Sequence, residues 1–243
     1  MKKAFTLVEL IFVVVVIGIL AFSLWPKKQP IQALAAARQI VAHIRYTQHL
    51  ALNDDKFATH TDTGGTSSIA KDWYKRLWRI TFSNLTADKD CKIGGWQYAV
   101  YQNIAGDLSD KGQPNGTIEA ARNPAQAGKV LSACYSGLST NTSDELNLGQ
   151  TYKIENIYFS EFATDSRIQG IIFDELGRAY PSGDFSQAYN NGKKFKLGDN
   201  NSYGRITLSA KDGSVAKILV FAETGYACVE NVDLGCKAPA TNP

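Results

Sequence analysis

The chain opens on an unbroken apolar run. From Phe5 to Trp25 (FTLVELIFVVVVIGILAFSLW) the only charge in 21 positions is Glu9, and a helix of that length covers roughly 31 Å, the thickness of a bilayer's hydrocarbon layer. Pro26 and Pro30 interrupt the run and predict a kink, because proline removes a backbone donor and crowds the preceding turn. Beyond them the period changes. In IQALAAARQIVAHIRYTQHLALN, Leu34, Ala37, Val41, Ile44 and Ala51 recur at three, four or seven residues among Arg38, Arg45 and Gln48, which predicts an amphipathic helix to about Asn53. Its alanine-rich apolar face reads as a surface packed on a sheet. His43 and His49, six apart, fall on different faces and read as surface or packing residues.

From about residue 56 the helical period gives way to alternation. In LWRITFS (77–83) Trp78, Ile80 and Phe82 alternate with Arg79, Thr81 and Ser83, and in GWQYAVYQ (95–102) Trp96, Tyr98 and Val100 alternate with polar or small residues. Both read as half-buried strands. Further strands are expected at 152–160, 168–174, 203–210 and 215–222, the last two joined by Lys211-Asp212-Gly213-Ser214, where Asp-Gly between alternating runs predicts a hairpin. Residues 103–150 are polar and rich in Gly and Pro, a long insertion or loop with room for one helix turn in its Ala-rich piece near 118–131, and 181–202 is a second such loop. No repeat, heptad run or further domain boundary appears. The expected fold is α+β: a long N-terminal helix, apolar in its first half and amphipathic in its second, packed on a β-rich globular domain.

Composition narrows the classes. With 44% hydrophobic, 20% charged and 11% aromatic residues over 243 positions, disorder, collagen and coiled coil are excluded for the chain as a whole. Lys and Arg number 26 against 23 Asp and Glu, a net charge of +3, too small a field for a nucleic-acid binder held by bulk charge. All four cysteines, Cys91, Cys134, Cys228 and Cys236, follow the apolar run, an even number in a region of extracytoplasmic character, and disulfides are expected. Cys228 with Cys236 would close a short loop and leave Cys91 with Cys134, although four cysteines allow three connectivities. A metal site would need tighter cysteine pairs near histidines, whereas His43, His49 and His60 lie far upstream. The chain has no G-x-S-x-G, H-E-x-x-H, Walker A or strand-linked G-x-G-x-x-G motif, so neither an enzyme nor a cofactor is expected. Asp54-Asp55 and Asp174-Glu175 read as solvated turns rather than acid/base pairs.

Two lysines precede the apolar run (Lys2, Lys3) and two follow it (Lys27, Lys28), so the positive-inside count is a tie. A cleaved secretory signal, with Ala21-Phe22-Ser23 as its cleavage site, and an anonymous signal anchor both leave Glu9 unexplained, since a carboxylate in a spanning helix costs roughly a few kcal/mol unless paired. The run Lys2-Lys3-Ala4-Phe5-Thr6-Leu7-Val8-Glu9-Leu10 followed by Ile, Val, Phe and Leu closely resembles the class III leader and methylation motif of type IV prepilins and type II secretion pseudopilins. The resemblance implies that a prepilin peptidase cuts between Ala4 and Phe5 and methylates the new amino group of Phe5, so that residues 1–4 are the leader. It also implies that Glu9 neutralises the N-terminal amine of a neighbouring subunit, a pairing in keeping with the charges at a helix N-terminus. The departure is Ala4, where the family has Gly, which bears on the rate of processing.

The resemblance further implies a single-pass inner-membrane protein with residues 1–4 cytoplasmic, 5–25 as transmembrane and assembly helix, 26–53 as the amphipathic half, and 54–243 as a periplasmic pilin-like domain. Other pilin or pseudopilin subunits, the prepilin peptidase and an inner-membrane assembly platform would be the partners. FDELGRAYPSG (173–183) and GRITLSAKDGSVAKILVFAETGYACV (204–229) are similar to the two-block pattern of H-type minor pseudopilins and FimT-like minor pilins. A DNA-uptake role is the alternative within the family, with Lys193, Lys194 and Lys196 around Phe195 as candidate DNA contacts, although a solvated loop surface is the favoured reading of these lysines. Some pseudopilins hold calcium, and Asp199, Asn200 and Asn201 would offer oxygen ligands, but an Asn/Gly turn is the favoured reading. Outside the family, the alternative is a single-pass anchored periplasmic enzyme or binding domain.

Overall fold

The computed structural model describes residues 7–23, 31–54, 76–86, 94–102, 113–114, 116–134, 141–160, 168–182 and 203–238. The chain divides into two units, residues 1–30 and 31–243. In the first, α1 spans Leu7–Ser23. The second begins with α2 (Gln32–Leu52) and carries two four-stranded antiparallel sheets, so the fold is α+β.

One sheet comprises β1 (Trp78–Leu85), β2 (Gly95–Gln102), β4 (Ile168–Phe173) and β5 (Ala179–Pro181) in the order β2-β1-β4-β5. The other comprises β3 (Ile154–Ser160), β6 (Tyr203–Ala210), β7 (Val215–Phe221) and β8 (Ala227–Val229) in the order β3-β6-β7-β8. All six expected strands are present. The one expected from 152 starts at Ile154, after Lys153 takes a positive φ of 54°. β6 and β7 form the expected hairpin, with Ser209 opposite Val215 and Gly213, at φ 80°, supplying the left-handed residue of the connecting loop.

β1 and β2 correct the half-buried reading, because their polar positions are buried as well as their apolar ones. Arg79 and Thr81 are both fully buried, and the Arg79 guanidinium lies over the ring of its cross-strand neighbour Tyr101, 5.7 Å from the centroid. The stretch 118–131 corrects the helix-turn reading. Its backbone bonds to the free edge of β2 instead: Val100 N–H donates to Leu131 O (2.7 Å), Ala121 N–H to Val100 O (2.9 Å) and Gln102 N–H to Glu119 O (2.9 Å). Once those groups pair with an edge strand they are not available to a helix. The helical turns lie later, in the 3₁₀ turn Asp144–Leu146 and in α3 (Leu148–Thr151).

The inner faces of both sheets meet α2 in one core. Ile80, Phe82, Val100 and Phe173 from one sheet and Ile206, Leu208, Ile218 and Val220 from the other cluster with Ala33, Ala37, Ile40, Val41 and Ile44 of the helix. Ile40 and Ile44 are fully buried, each worth about 1.5–3 kcal/mol of apolar transfer. The alanines on the same face keep the helix close to the strands.

Contacts distant in sequence fix α2 at both ends. Its own N-cap, Ile31, offers no side-chain acceptor, so the β6–β7 loop supplies two: Ser214 Oγ accepts from Ala33 N–H (3.0 Å) and Asp212 Oδ2 from Gln32 N–H (3.3 Å). These satisfy amides that a helix start leaves without partners. Asp212 also accepts from the Ser214 hydroxyl, the main reason its carboxyl sits below its ordinary range. Near the other end, Gln48 Nε2 donates to Gly177 O (2.9 Å) and Thr224 O (2.6 Å), holding two turns together. Gly225 sits in that junction at φ +61°, where a Cβ would lie 2.1 Å from Gly177 O.

The outer face of the second sheet is partly covered by the C-terminal segment. Cys228 and Cys236 form a disulfide and cluster with Tyr203 and Leu219, and closing so short a loop stabilises by about 2.5 kcal/mol on a chain-entropy model.

Gly225→Ala is expected to destabilise by about 3 kcal/mol, from left-handed backbone strain plus overpacking, read as a fall in Tm of roughly 6–12 °C. Gly213→Ala is the control: the backbone is also left-handed, at φ +80°, but a Cβ meets nothing within 4 Å, so the loss is about 1–2 kcal/mol. Equal losses would refute the close-approach account. Ser214→Ala is expected to cost about 1 kcal/mol as a lost cap, with faster amide exchange at Gln32 and Ala33.

Candidate functional site

Two groups of residues stand out, one in each unit. α1 reads LVELIFVVVVIGILAFS, and its large apolar side chains are exposed, with Leu7 at 74% and Phe12 at 69%. Such a surface is unfavourable in water by about 25 cal/mol per Å² and calls for a cover of lipid or other apolar helices. Glu9 is the sole charged residue of α1 and lies exposed in its first turn, where the positive end of the helix dipole favours a carboxylate.

The second group is a polar chain between α2 and the segments packed beside it. Gln39 Nε2 donates to Glu145 O (3.0 Å) and to Tyr98 Oη (2.8 Å), while Gln39 Oε1 accepts from the Tyr152 hydroxyl. Tyr98 Oη is also 2.7 Å from His43 Nδ1. Burial pushes the Tyr98 hydroxyl well above its ordinary pKa and pushes His43 below 6.5, with the Glu145 charge acting in the opposite sense on His43. Tyr152 is raised, first by burial and then by Glu145. The Glu145 carboxylate accepts from Asn123 Nδ2 (2.8 Å) and Gln126 Nε2 (3.2 Å). Arg45 completes the polar flank of α2, donating through Nε and Nη2 to Ala227 O (3.1 and 2.8 Å) beside the Tyr226 ring.

The residues singled out in the sequence fall unevenly on this structure. His43 is half-buried and belongs to the polar chain, while His49 is exposed and meets Asn53. Asp174 corrects the solvated-turn reading: it is buried, and its carboxylate accepts from Arg178 Nε (2.6 Å), the Tyr180 hydroxyl (3.1 Å) and the amides of Leu176 and Arg178. Cys228–Cys236 pairs as expected, and Cys134 is disulfide-bonded to a partner outside the described residues. Ala4, Phe5, Pro26, Pro30, Cys91, Lys193, Lys194, Lys196 and the 199–201 turn also lie outside the described residues.

The Gln39–Tyr98–His43 connection was not read from the sequence. Its trace there is the i, i+4 spacing of Gln39 and His43 beside an otherwise apolar face.

Among the described residues no helix is long and apolar enough to cross a membrane, α1 being described over 17 residues. No curated protein and no solved structure matches the chain. The prokaryotic N-terminal methylation motif matches residues 1–25, the segment that holds Glu9 and the whole apolar run. Over those residues the chain carries the class III leader of the type IV pilins and pseudopilins, which implies anchoring in a membrane.

Proposed function

We propose that the chain is a non-catalytic structural subunit of a type II secretion pseudopilus or type IV pilus, a minor component that acts in filament initiation, tip assembly or cargo contact. The observation that carries this reading is the methylation motif at residues 1–25 on an apolar helix whose sole charge is Glu9. A prepilin peptidase removes residues 1–4, and the amino group of Phe5 is methylated. The apolar helix first anchors the subunit in the inner membrane, with the β-rich domain in the periplasm, and then joins the helices of neighbouring subunits. Moving from lipid into a bundle of apolar helices leaves its apolar surface covered throughout.

Glu9 gives this transfer its register. A carboxylate in an apolar bundle is strongly disfavoured alone and tolerated when paired, and the N-terminal amine of an adjacent subunit supplies the opposite charge. The disulfide at Cys228–Cys236 is consistent with an oxidising compartment for the domain.

Glu9→Ala is expected to leave cleavage and membrane anchoring intact while reducing recovery with co-expressed pilin-type subunits in the sheared filament fraction at least tenfold. Breaking a buried charge pair costs about 3–5 kcal/mol, more than enough for that loss. Normal recovery of the variant in that fraction would refute the pairing role.

A further inference from the structure

We propose that Gln39, Tyr98 and His43 form an acid-sensitive latch, which holds α2 to the 141–152 segment while His43 is neutral and releases it on protonation. The latch is independent of what the leader does. Its direction follows from which groups are able to donate. Glu145 O is a backbone carbonyl and only accepts, so the Gln39 atom 3.0 Å from it is the amide nitrogen. The Gln39 oxygen must then face Tyr152, whose hydroxyl donates to it. The second N–H of Gln39 points at Tyr98 Oη, 2.8 Å away.

Tyr98 has one proton, and its oxygen already accepts from Gln39. That proton is directed at His43 Nδ1, 2.7 Å away, so His43 is the neutral tautomer with its hydrogen on Nε2. Protonation puts a second hydrogen on Nδ1, facing the Tyr98 hydroxyl. Tyr98 is 1% exposed, and a hydroxyl that loses its acceptor at such depth is costly, whereas the same loss at the surface is made good by water.

The titratable groups that act on this site come from each neighbouring element: Tyr98 on β2, Glu145 in the 3₁₀ turn and Tyr152 just before β3. Among the described residues Glu145 is the carboxylate that favours the charged histidine, and burial outweighs it. The folded chain therefore refuses a proton that the unfolded chain accepts. The stabilisation is held in full above about 6.5, the ordinary value, and is lost as pH falls from there through the lower folded-state value. Since Glu145 O and Tyr152 meet α2 through Gln39, the first region to loosen is the 3₁₀ turn with α3.

The test uses the full chain in detergent micelles with ¹³C,¹⁵N-labelled histidine, the three histidine signals being assigned with His43→Asn. The latch predicts Nε2–H for His43 at pH 7.5, a titration midpoint below 6.5, and a midpoint that rises toward 6.5 in Tyr98→Phe. Amide exchange at 143–152, corrected for intrinsic rates, should accelerate several-fold on going from pH 7.5 to pH 5. In His43→Asn, whose Oδ1 keeps an acceptor near the position of Nδ1 and does not titrate, that acceleration should vanish. Should His43→Asn not fold, the wild-type tautomer and midpoint still decide. An Nδ1–H tautomer, a midpoint at or above 6.5, or an unchanged acid response in His43→Asn would overturn the latch.

Discussion

Everything in the β-rich unit depends on one helix face being shared by two sheets. Ala33, Ala37, Ile40, Val41 and Ile44 form a single core with side chains of β1, β2 and β4 on one side and of β6 and β7 on the other. α2 packs on both sheets, which also meet directly where the Phe82 ring lies 5.4 Å from that of Phe159 and Ala179 N–H donates to Ala222 O (2.8 Å). The polar residues flanking that face then fix what the apolar contact leaves undetermined. Gln48 joins the turns at Gly177 and Thr224, Arg45 holds the carbonyl of Ala227, and Gln39 reaches Tyr98 and Glu145. Dispersion and the hydrophobic effect are indifferent to small slides of a helix along a sheet, and hydrogen bonds at defined points are not.

α1 has the opposite problem. It carries the same periodic capacity for helix but no polar face, and its large apolar side chains are exposed. α2 has its partner within its own unit, whereas the exposed apolar surface of α1 calls for a cover, and the methylation motif at residues 1–25 implies anchoring in a membrane. Every other residue of α1 is uncharged, which is why the proposed pairing of Glu9 would be able to set the register of the apolar surface.

Legibility followed from how local the cause was. The α2 stripe, the six longer strands and the Asp212-Gly213 hairpin depend on periodicity or turn chemistry within a few residues, and they appear where the sequence puts them. The burial of Arg79 and Thr81 was not legible, because alternation says which side chains share a face and nothing about whether the polar face is covered. β5 and β8 have three residues each, too few to show a period. The polar chain from Tyr152 to His43 joins residues 39 and 152, 39 and 98, and 43 and 98, and such a connection exists only once the fold has brought them together. The methylation motif was legible because it is a run of adjacent residues, independent of how the domain folds.

The measurement that bears most directly on the central claim is the N-terminus of the protein recovered from its native membranes, read by intact mass and by terminal peptide. The account predicts a chain that lacks residues 1–4 and begins at a methylated Phe5. A chain that begins at Met1, or at Leu24 after cleavage behind Ala21-Phe22-Ser23, would contradict it.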